Sequence, residues 1–183
     1  ISVDTMSITT DFLVSEGQDY QAVELPYAGN TLAFLAVLPT GSVAATPPTG
    51  GSLTAFEESL TPEKLAAIVD GLAGDGLTTV TMPRFNFQRN LDLEPSLTAM
   101  GMTTAFSDGD FSGMTPTTGW FIDGVAQQAY IEVTEQGTKA GAATEVTIAG
   151  GIGGSIELNR PFLFFIRHVA SGVLLFVGEV RDP

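Results

Sequence analysis

Alternating hydrophobic and polar positions recur along much of the chain, which is the period-two pattern of β-strands that lie on a core. The first such stretch is "ISVDTMSIT", followed by "DFLVSEG", and "YQAVELPYAGNTLAFLAVLP" predicts two apolar strands that turn at Ala28-Gly29-Asn30. The stretches "GLTTVTMPRFNFQ" and "WFIDGVAQQAYIEVTEQG" predict two further strands, the second of them long. The last stretch, "SIELNRPFLFFIRHVASGVLLFVGEV", predicts one short strand and an apolar hairpin.

Three short segments carry helical spacing instead. In "SLTAFEESL" the apolar residues Leu53, Phe56 and Leu60 share one helix face, and in "TPEKLAAIVDGLAG" Thr61 is placed to cap the helix. The stretch "LDLEPSLTAMG" predicts a third helix that begins after a cap at Asp92. Together these elements predict an α+β, β-rich fold with mostly antiparallel strands, more than one sheet and a few short helices.

The segment from Thr134 to Ser155, "TEQGTKAGAATEVTIAGGIGGS", combines two opposing patterns. Every second residue from Thr138 is small and then apolar, whereas the alternate set carries both charges, at Lys139 and Glu145. Glycines crowd positions 150–154 directly afterwards, and a glycine inside a strand costs about 0.5–1 kcal/mol. Two interpretations are open: an ordinary strand that ends in a flexible connection, or a strand held in reserve as a loop and able to join a sheet later.

Composition and charge narrow the classes of function. The chain has 183 residues, 44% of them hydrophobic, which is enough for one real core. It carries 7 Lys+Arg against 21 Asp+Glu, a net charge of −14, and such a surface repels nucleic acid and anionic lipid. It contains no cysteine, which excludes disulfides, thiol catalysis and Cys-bound metals from this chain. We therefore expect neither nucleic acid nor a membrane as a partner.

Side chains that could carry chemistry are few. His168 is the only histidine, and it stands at the end of the strand "PFLFFIRH" without a nucleophile-elbow context, so we expect a structural role. The stretch "DGDFSG" lacks the third spaced oxygen ligand and the distal acid of a calcium loop, and it predicts a capped turn. No phosphate-binding glycine motif is present. We expect no enzyme active site, no metal site and no cofactor.

At "ELPYAGN", "MPRFNFQ", "LTAMGMTTAFSDGDFSG", "EVTEQGTKAGAAT" and "NRPFLFFIRHVASGVLLFVGEVRDP" the chain resembles the serpin family of serine protease inhibitors. The resemblance runs in the family's order from the first strand to Pro183. It implies a serpin-type multi-sheet fold in which residues 1–183 form the C-terminal portion of a single serpin domain. Residues 134–158 would then be its reactive-centre loop and hinge. Because the chain opens in mid-strand, we expect the helix-rich N-terminal half to lie outside it.

Serpins present a reactive loop as bait to a serine protease. After cleavage the hinge side of the loop inserts as a strand of the main sheet and carries the acyl-linked protease with it. The resemblance therefore favours the reserve strand and implies a suicide inhibitor, not an enzyme. The positions that match the inhibitory hinge are Glu135, Gly137, Thr138, Ala140, Ala142, Ala143 and Thr144.

The resemblance also places the bond that a protease would cut. Counting the usual loop length from Glu135 points to Gly151–Ile152, whereas counting back from Pro161 points to Gly150–Gly151. Gly151 is the favoured residue for the primary pocket of the protease. A small residue there suggests an elastase-like or subtilisin-like target, and it argues against trypsin-like enzymes, which prefer Lys or Arg.

A second function is carried beside the first. Some serpins do not inhibit and act as binding or chaperone-like modules, but such members often have bulky or charged hinge residues, which this hinge lacks. The family implies an extracellular or secreted location. We further expect these residues to be found with the missing N-terminal half, or with their sheet edges covered by self-association or by their own loop, because open edges invite pairing.

Overall fold

A computed structural model describes residues 4–41, 52–134, 137–138 and 154–183 of the chain. Within them lie ten strands and three short α-helices. The strands are β1 (Thr5–Glu16), β2 (Tyr20–Pro26), β3 (Leu32–Pro39), β4 (Ala73–Pro83), β5 (Phe85–Asp92), β6 (Ala126–Thr134), β7 (Gly137–Thr138), β8 (Ser155–Glu157), β9 (Phe162–His168) and β10 (Leu174–Val180). The helices are α1 (Leu53–Ser59), α2 (Pro62–Asp70) and α3 (Glu94–Ala99), and a 3₁₀ turn spans Thr104–Phe106.

The larger sheet has seven strands in the order β10-β9-β3-β2-β1-β4-β8. Its pairings are antiparallel except that of β4 with β8, which is parallel. The predicted turn between β2 and β3 is confirmed, with Gly29 and Asn30 both at positive φ. The Asn30 amide donates to the Tyr27 carbonyl at 2.9 Å, which puts Gly29 at the third position of a β-turn, where a positive φ favours glycine.

The core of this sheet lies around β3 and β9, whose residues are almost all buried. The apolar faces predicted for α1 and α2 pack on this core, so both predicted helices are confirmed. The cluster contains Ala22, Leu35, Val37, Leu53, Phe56, Ile68, Leu163 and Phe165, with Leu60, Leu65, Val69 and Leu72 partly buried against it. Thr61 caps α2 as predicted, because its Oγ1 accepts a hydrogen bond from the Lys64 amide at 3.2 Å.

The second sheet has three strands in the order β5-β6-β7. By internal contacts the chain divides into two units, one formed by Ile1–Phe85 with Val133–Pro183 and the other by Asn86–Glu132. The second unit contains most of β5 and β6 and the helix α3. The predicted cap at Asp92 is wrong, because the N-cap position of α3 is Leu93, which makes no side-chain cap bond. Asp92 lies one residue earlier, where it accepts a hydrogen bond from the Glu94 amide at 3.1 Å. The α+β, β-rich, multi-sheet prediction is confirmed.

Two strand predictions were wrong in their extent. The stretch predicted as one strand around Pro83 is two strands in different sheets. The Arg84 amide makes the last bond of the β1–β4 ladder, to the Asp4 carbonyl at 2.9 Å, and β5 begins in the other sheet at Phe85. The long strand predicted from Trp120 begins only at Ala126. Before it, the Ile122 amide donates to the Ala105 carbonyl at 2.8 Å, so this part of the chain pairs with the 3₁₀ turn instead of a strand.

Candidate functional site

The site predicted by the sequence begins at the end of β6. Strand β6 has one buried face at its C-terminal end, where Ile131 and Val133 are 8% and 5% exposed. On the other face the Tyr130 hydroxyl donates to a Glu132 carboxylate oxygen at 2.9 Å. This bond favours the protonated phenol and raises the pKa of Tyr130 above its ordinary value. The end of β6 therefore has a buried face, here called the dry side, and a solvent-facing face, the wet side, which carries the Glu132 carboxylate.

The next described strand, β7, runs antiparallel to β6 and pairs with it. Gly137 lies opposite Thr134 and Thr138 lies opposite Val133, in an antiparallel ladder that forms β7. Among the described strands, β7 is an edge strand of the three-stranded sheet. Directly opposed residues share a sheet face, so the backbone register places position 138 on the face where Val133 is buried. Of the predicted hinge residues, the structure thus places Gly137 and Thr138 in the sheet.

The remaining predicted site residues lie outside the described part of the chain. They are the hinge positions Glu135, Ala140, Ala142, Ala143 and Thr144 and the candidate cleavage positions Gly150, Gly151 and Ile152.

The described chain resumes at a strand of the other sheet. The Gly154 carbonyl accepts a hydrogen bond from the Thr79 amide at 2.9 Å, and β8 then runs parallel to β4. Ile156 is buried at 4%, and the Leu158 amide donates to the Thr81 carbonyl at 2.8 Å. The segment between Thr138 and Gly154 is therefore held at both ends by backbone hydrogen bonds, at β6 on one side and at β4 on the other.

The other candidate positions have structural roles. His168 stands at the end of β9, where its Nδ1 lies 2.8 Å from the Ser171 hydroxyl across the turn to β10. In "DGDFSG" the Ser112 amide donates to Asp110 at 2.9 Å, which confirms the capped turn. Hydrogen bonds from the Ser112 side chain and then from its backbone lower the pKa of Asp110. No group of three or more His, Asp or Glu residues that could hold a metal ion occurs among the described residues.

Two ionic sites were missed by sequence reasoning. Arg167 on β9 and Glu24 on β2 form a buried ion pair, with Nε and Nη2 each 2.6 Å from Oε2. The sequence feature that could have indicated this pair is one charged residue, Arg167 or Glu24, inside each of two apolar stretches, "FLFFIRH" and "AVELP".

The second ionic site is at Arg181, which bridges two carboxylates, at 2.7 Å from Glu179 and 3.5 Å from Glu57. Nothing in the local sequence of α1 indicates this contact with the chain's end.

The helices of the described residues are all too short or too polar to cross a membrane.

A family model described as Serpin (serine protease inhibitor) matches residues 1–183, the whole chain. Human Serpin B3 is 36% identical over an alignment that covers all of this chain and 47% of that protein. Bovine plasminogen activator inhibitor 1 is 31% identical, with 100% of this chain and 46% of that protein covered.

Solved structures agree with these sequences. Native protease nexin-1, solved with heparin, superposes with a TM-score of 0.79 at 27% identity over 100% of this chain and 48% of that one. The thermophilic serpin tengpin in its native state gives 0.77 at 29% identity over 99% and 46%. The chain spans about half the length of the relatives that it matches.

Proposed function

Because the chain belongs to the serpin family, whose members are generally protease inhibitors rather than enzymes, we propose that the whole protein is a suicide inhibitor of serine proteases. Residues 134–158 serve as its reactive-centre loop and hinge. A protease cleaves the loop, the hinge side inserts beside β6, and the acyl-linked protease is dragged with it and distorted. Distortion stops deacylation because the catalytic triad and the oxyanion hole no longer align.

The observation that supports this proposal is the register of β6 with β7. Val133 opposes Thr138, so continuing the same ladder toward the start of β6 puts Ala140 opposite Ile131 and Ala142 opposite Ala129. Val133 and Ile131 are the buried positions of β6, and the residues that would join that face are small. The alternate positions, which include Lys139 and Glu145, would face water. Slim residues on the dry side are what a strand needs in order to enter a packed sheet.

The register also assigns partners on the wet side. Lys139 would lie directly opposite Glu132, where an opposite-charge pair contributes about 0.2–1 kcal/mol. Gly141 would lie opposite Tyr130, whose ring could cover the bare backbone of the glycine. Each new backbone hydrogen bond adds a net contribution of about 1 kcal/mol, so a strand of about a dozen residues supplies on the order of 10 kcal/mol to hold the distorted enzyme.

The cleaved bond in this proposal is Gly151–Ile152, with Gly150–Gly151 as the alternative, and the target is an elastase-like or subtilisin-like protease. The test is incubation of the full-length protein with pancreatic elastase and with subtilisin, followed by denaturing electrophoresis and mass spectrometry of the released C-terminal peptide. An SDS-resistant complex and a new N-terminus at Gly151 or Ile152 are expected. Cleavage without a complex at any ratio of inhibitor to protease would reject the inhibitor and favour a non-inhibitory binding module.

We propose the preceding half of the same serpin domain as the partner of these residues. Val173 to Val177, at the start of the edge strand β10, form an exposed apolar run, with Val177 68% exposed. In the unit Asn86–Glu132, Ile131 is the only buried residue. A stable protein does not leave this much apolar surface in water, and about half the length of its relatives lies outside this chain.

Val177→Lys tests this partner. In the full-length protein the lysine would be buried against the other half, and the unfolding midpoint should fall, whereas Gln18→Lys, at an exposed position between β1 and β2, should leave it unchanged. Residues 1–183 expressed alone should associate with themselves in light scattering. A stable monomer of residues 1–183, with residues 173–177 unprotected in hydrogen exchange, would contradict the proposal that the preceding half covers β10.

An extracellular location remains part of the functional proposal, within a family that has both intracellular and extracellular members.

A further inference from the structure

The buried pair Glu24–Arg167 joins strands that are not neighbours. Glu24 lies on β2 opposite Leu35 of β3, and Arg167 lies on β9 opposite Ala33 of β3. The pair therefore reaches across β3 on a diagonal, with side chains only 5% and 8% exposed. It also links positions 143 apart in sequence. Ala33, the residue underneath, has a single methyl group, which leaves room for the guanidinium to pass.

Apolar matching alone does not determine how β9 sits against β3. Both strands are buried on both faces, and both are continuous apolar runs, "LAFLAVL" and "FLFFI". A shift of two residues keeps every side chain on its own face and still opposes apolar residues with apolar residues. No described strand pairs with the outer edge of β10, so the β9–β10 hairpin can shift as a unit.

The charges do distinguish the registers. A shift that moves Arg167 from Ala33 to Thr31 carries it about 7 Å further along β3, away from Glu24, because a strand rises about 3.4 Å per residue. The opposite shift puts Arg167 opposite Leu35, whose side chain then lies between the two charged groups. Separating the pair leaves Glu24 buried without its partner, which is strongly unfavourable.

We infer that Glu24 and Arg167 form a register key, which admits the C-terminal hairpin β9–β10 into the sheet in a single alignment. The inference stands apart from the inhibitory function, since it concerns how the hairpin docks and not what the loop does. Buried ion pairs often add little net stability compared with apolar residues of the same size, and fixing a register is their best-supported use.

The experiment traps the alignment with disulfides in the full-length protein. This chain contains no native cysteine to compete. Leu32→Cys with His168→Cys reports the native register, since these residues are partners, and Leu32→Cys with Ile166→Cys reports the register shifted by two. Each pair is refolded under mild oxidation, and cross-linked peptides are counted by mass spectrometry. Only the first pair should cross-link when Glu24 and Arg167 are intact.

Glu24→Gln keeps the shape of the side chain and removes its charge, so the shifted product, absent from the intact protein, should appear. Asp19→Asn, which breaks the half-exposed pair with Lys64, is the matched control and should leave the shifted product absent. The double variant Glu24→Leu/Arg167→Leu removes both charges and keeps the core apolar; it should fold and give both cross-links. A single native cross-link in Glu24→Gln and in the double variant would overturn the register key.

Discussion

The ring of Phe164 on β9 lies against the backbone of Gly178, its pairing partner on β10. The ring also stacks on Phe34, with centroids 5.4 Å apart and planes within 9°. The place that a side chain would take at Gly178 is thus already filled by an aromatic ring that is itself held from its other side. This contact couples the edge strand of the large sheet to the packing of its centre.

Gly178→Ala should therefore be destabilising. The added methyl group would overlap the Phe164 ring, and overpacking of this kind costs about 1–3 kcal/mol. Urea unfolding of the full-length protein, followed by tryptophan fluorescence, measures the change. Gly113→Ala is the control, because nothing lies within 4 Å of that position. Equal stability of the two variants would show that the Phe164 ring can move aside.

The cap of α2 gives a second prediction. Thr61→Ala removes the hydroxyl that accepts the Lys64 amide and should lower the free energy of unfolding by about 1 kcal/mol. Thr54→Ala changes an exposed threonine inside α1 and should be neutral or slightly stabilising, because alanine is the better helix former. Thermal unfolding by circular dichroism compares them. A Thr61→Ala midpoint at or above that of wild type would argue against the cap.

Glu57 gives a prediction about pH. Its pKa is raised above the usual 4.5, mainly by burial and then by the hydrogen bond and the charge of Glu179, while Arg181 opposes the shift. A carboxyl whose pKa is raised in the folded protein contributes its full stabilisation at pH values below its pKa in the unfolded chain. It loses this contribution as the pH rises through its pKa in the folded protein. Glu57→Gln removes the titration, so its stability relative to wild type should increase as the pH rises above 4.5.

Chemical unfolding between pH 4 and pH 7 measures this difference. Thr54→Ala, an exposed position without a titratable group on the same helix, is the control, and its difference from wild type should stay constant across the range. A constant difference between Glu57→Gln and wild type would mean that burial and Glu179 do not raise the pKa of Glu57 in the folded protein.

The proposed hinge predicts the effect of a bulky charge at its start. Thr138 opposes Val133 on the buried face of β6, so Thr138→Arg would have to bury a cation and insertion should stop. The protease would then cut the loop as a substrate, and the SDS-resistant complex should disappear. Lys139→Arg changes the neighbouring position, which the proposed register would put on the other face of the inserted strand, and should still give the complex. Complex formation by Thr138→Arg would reject the register proposed here.

The wet face of the same ladder can be tested separately. If the inserted strand continues the observed register as proposed, Lys139→Glu would place a carboxylate opposite Glu132 and should slow complex formation, because like charges on paired strands repel. Adding Glu132→Lys restores an opposite-charge pair and should recover most of the rate. Stopped-flow kinetics of inhibition, at low and high salt, measure both. Recovery at low salt alone would fit a screened surface pair, whereas no effect of either change would exclude the pairing of these two positions.

Much of the local structure could be predicted from the sequence. The turn at Gly29 and Asn30, the cap at Thr61 and the apolar faces of α1 and α2 follow from residue type and from spacing within a few positions. Backbone conformation and short-range periodicity act over those distances, so the pattern carries them directly. The small residues at every second position from Thr138 also predict one strand face of the hinge. That hinge stays a prediction, since only its residues Gly137 and Thr138 are described, in β7.

Only the tertiary structure decided the rest. The ion pair of Glu24 with Arg167 links positions 143 apart, and the contact of Arg181 with Glu57 joins the chain's end to a helix, so no local pattern contains either. The predicted strand is split at Arg84 because β4 pairs with β1 in one sheet and β5 pairs with β6 in the other. Strand order, register and the pairing of charges depend on which distant segments meet, and that choice is made by the free energy of the whole fold.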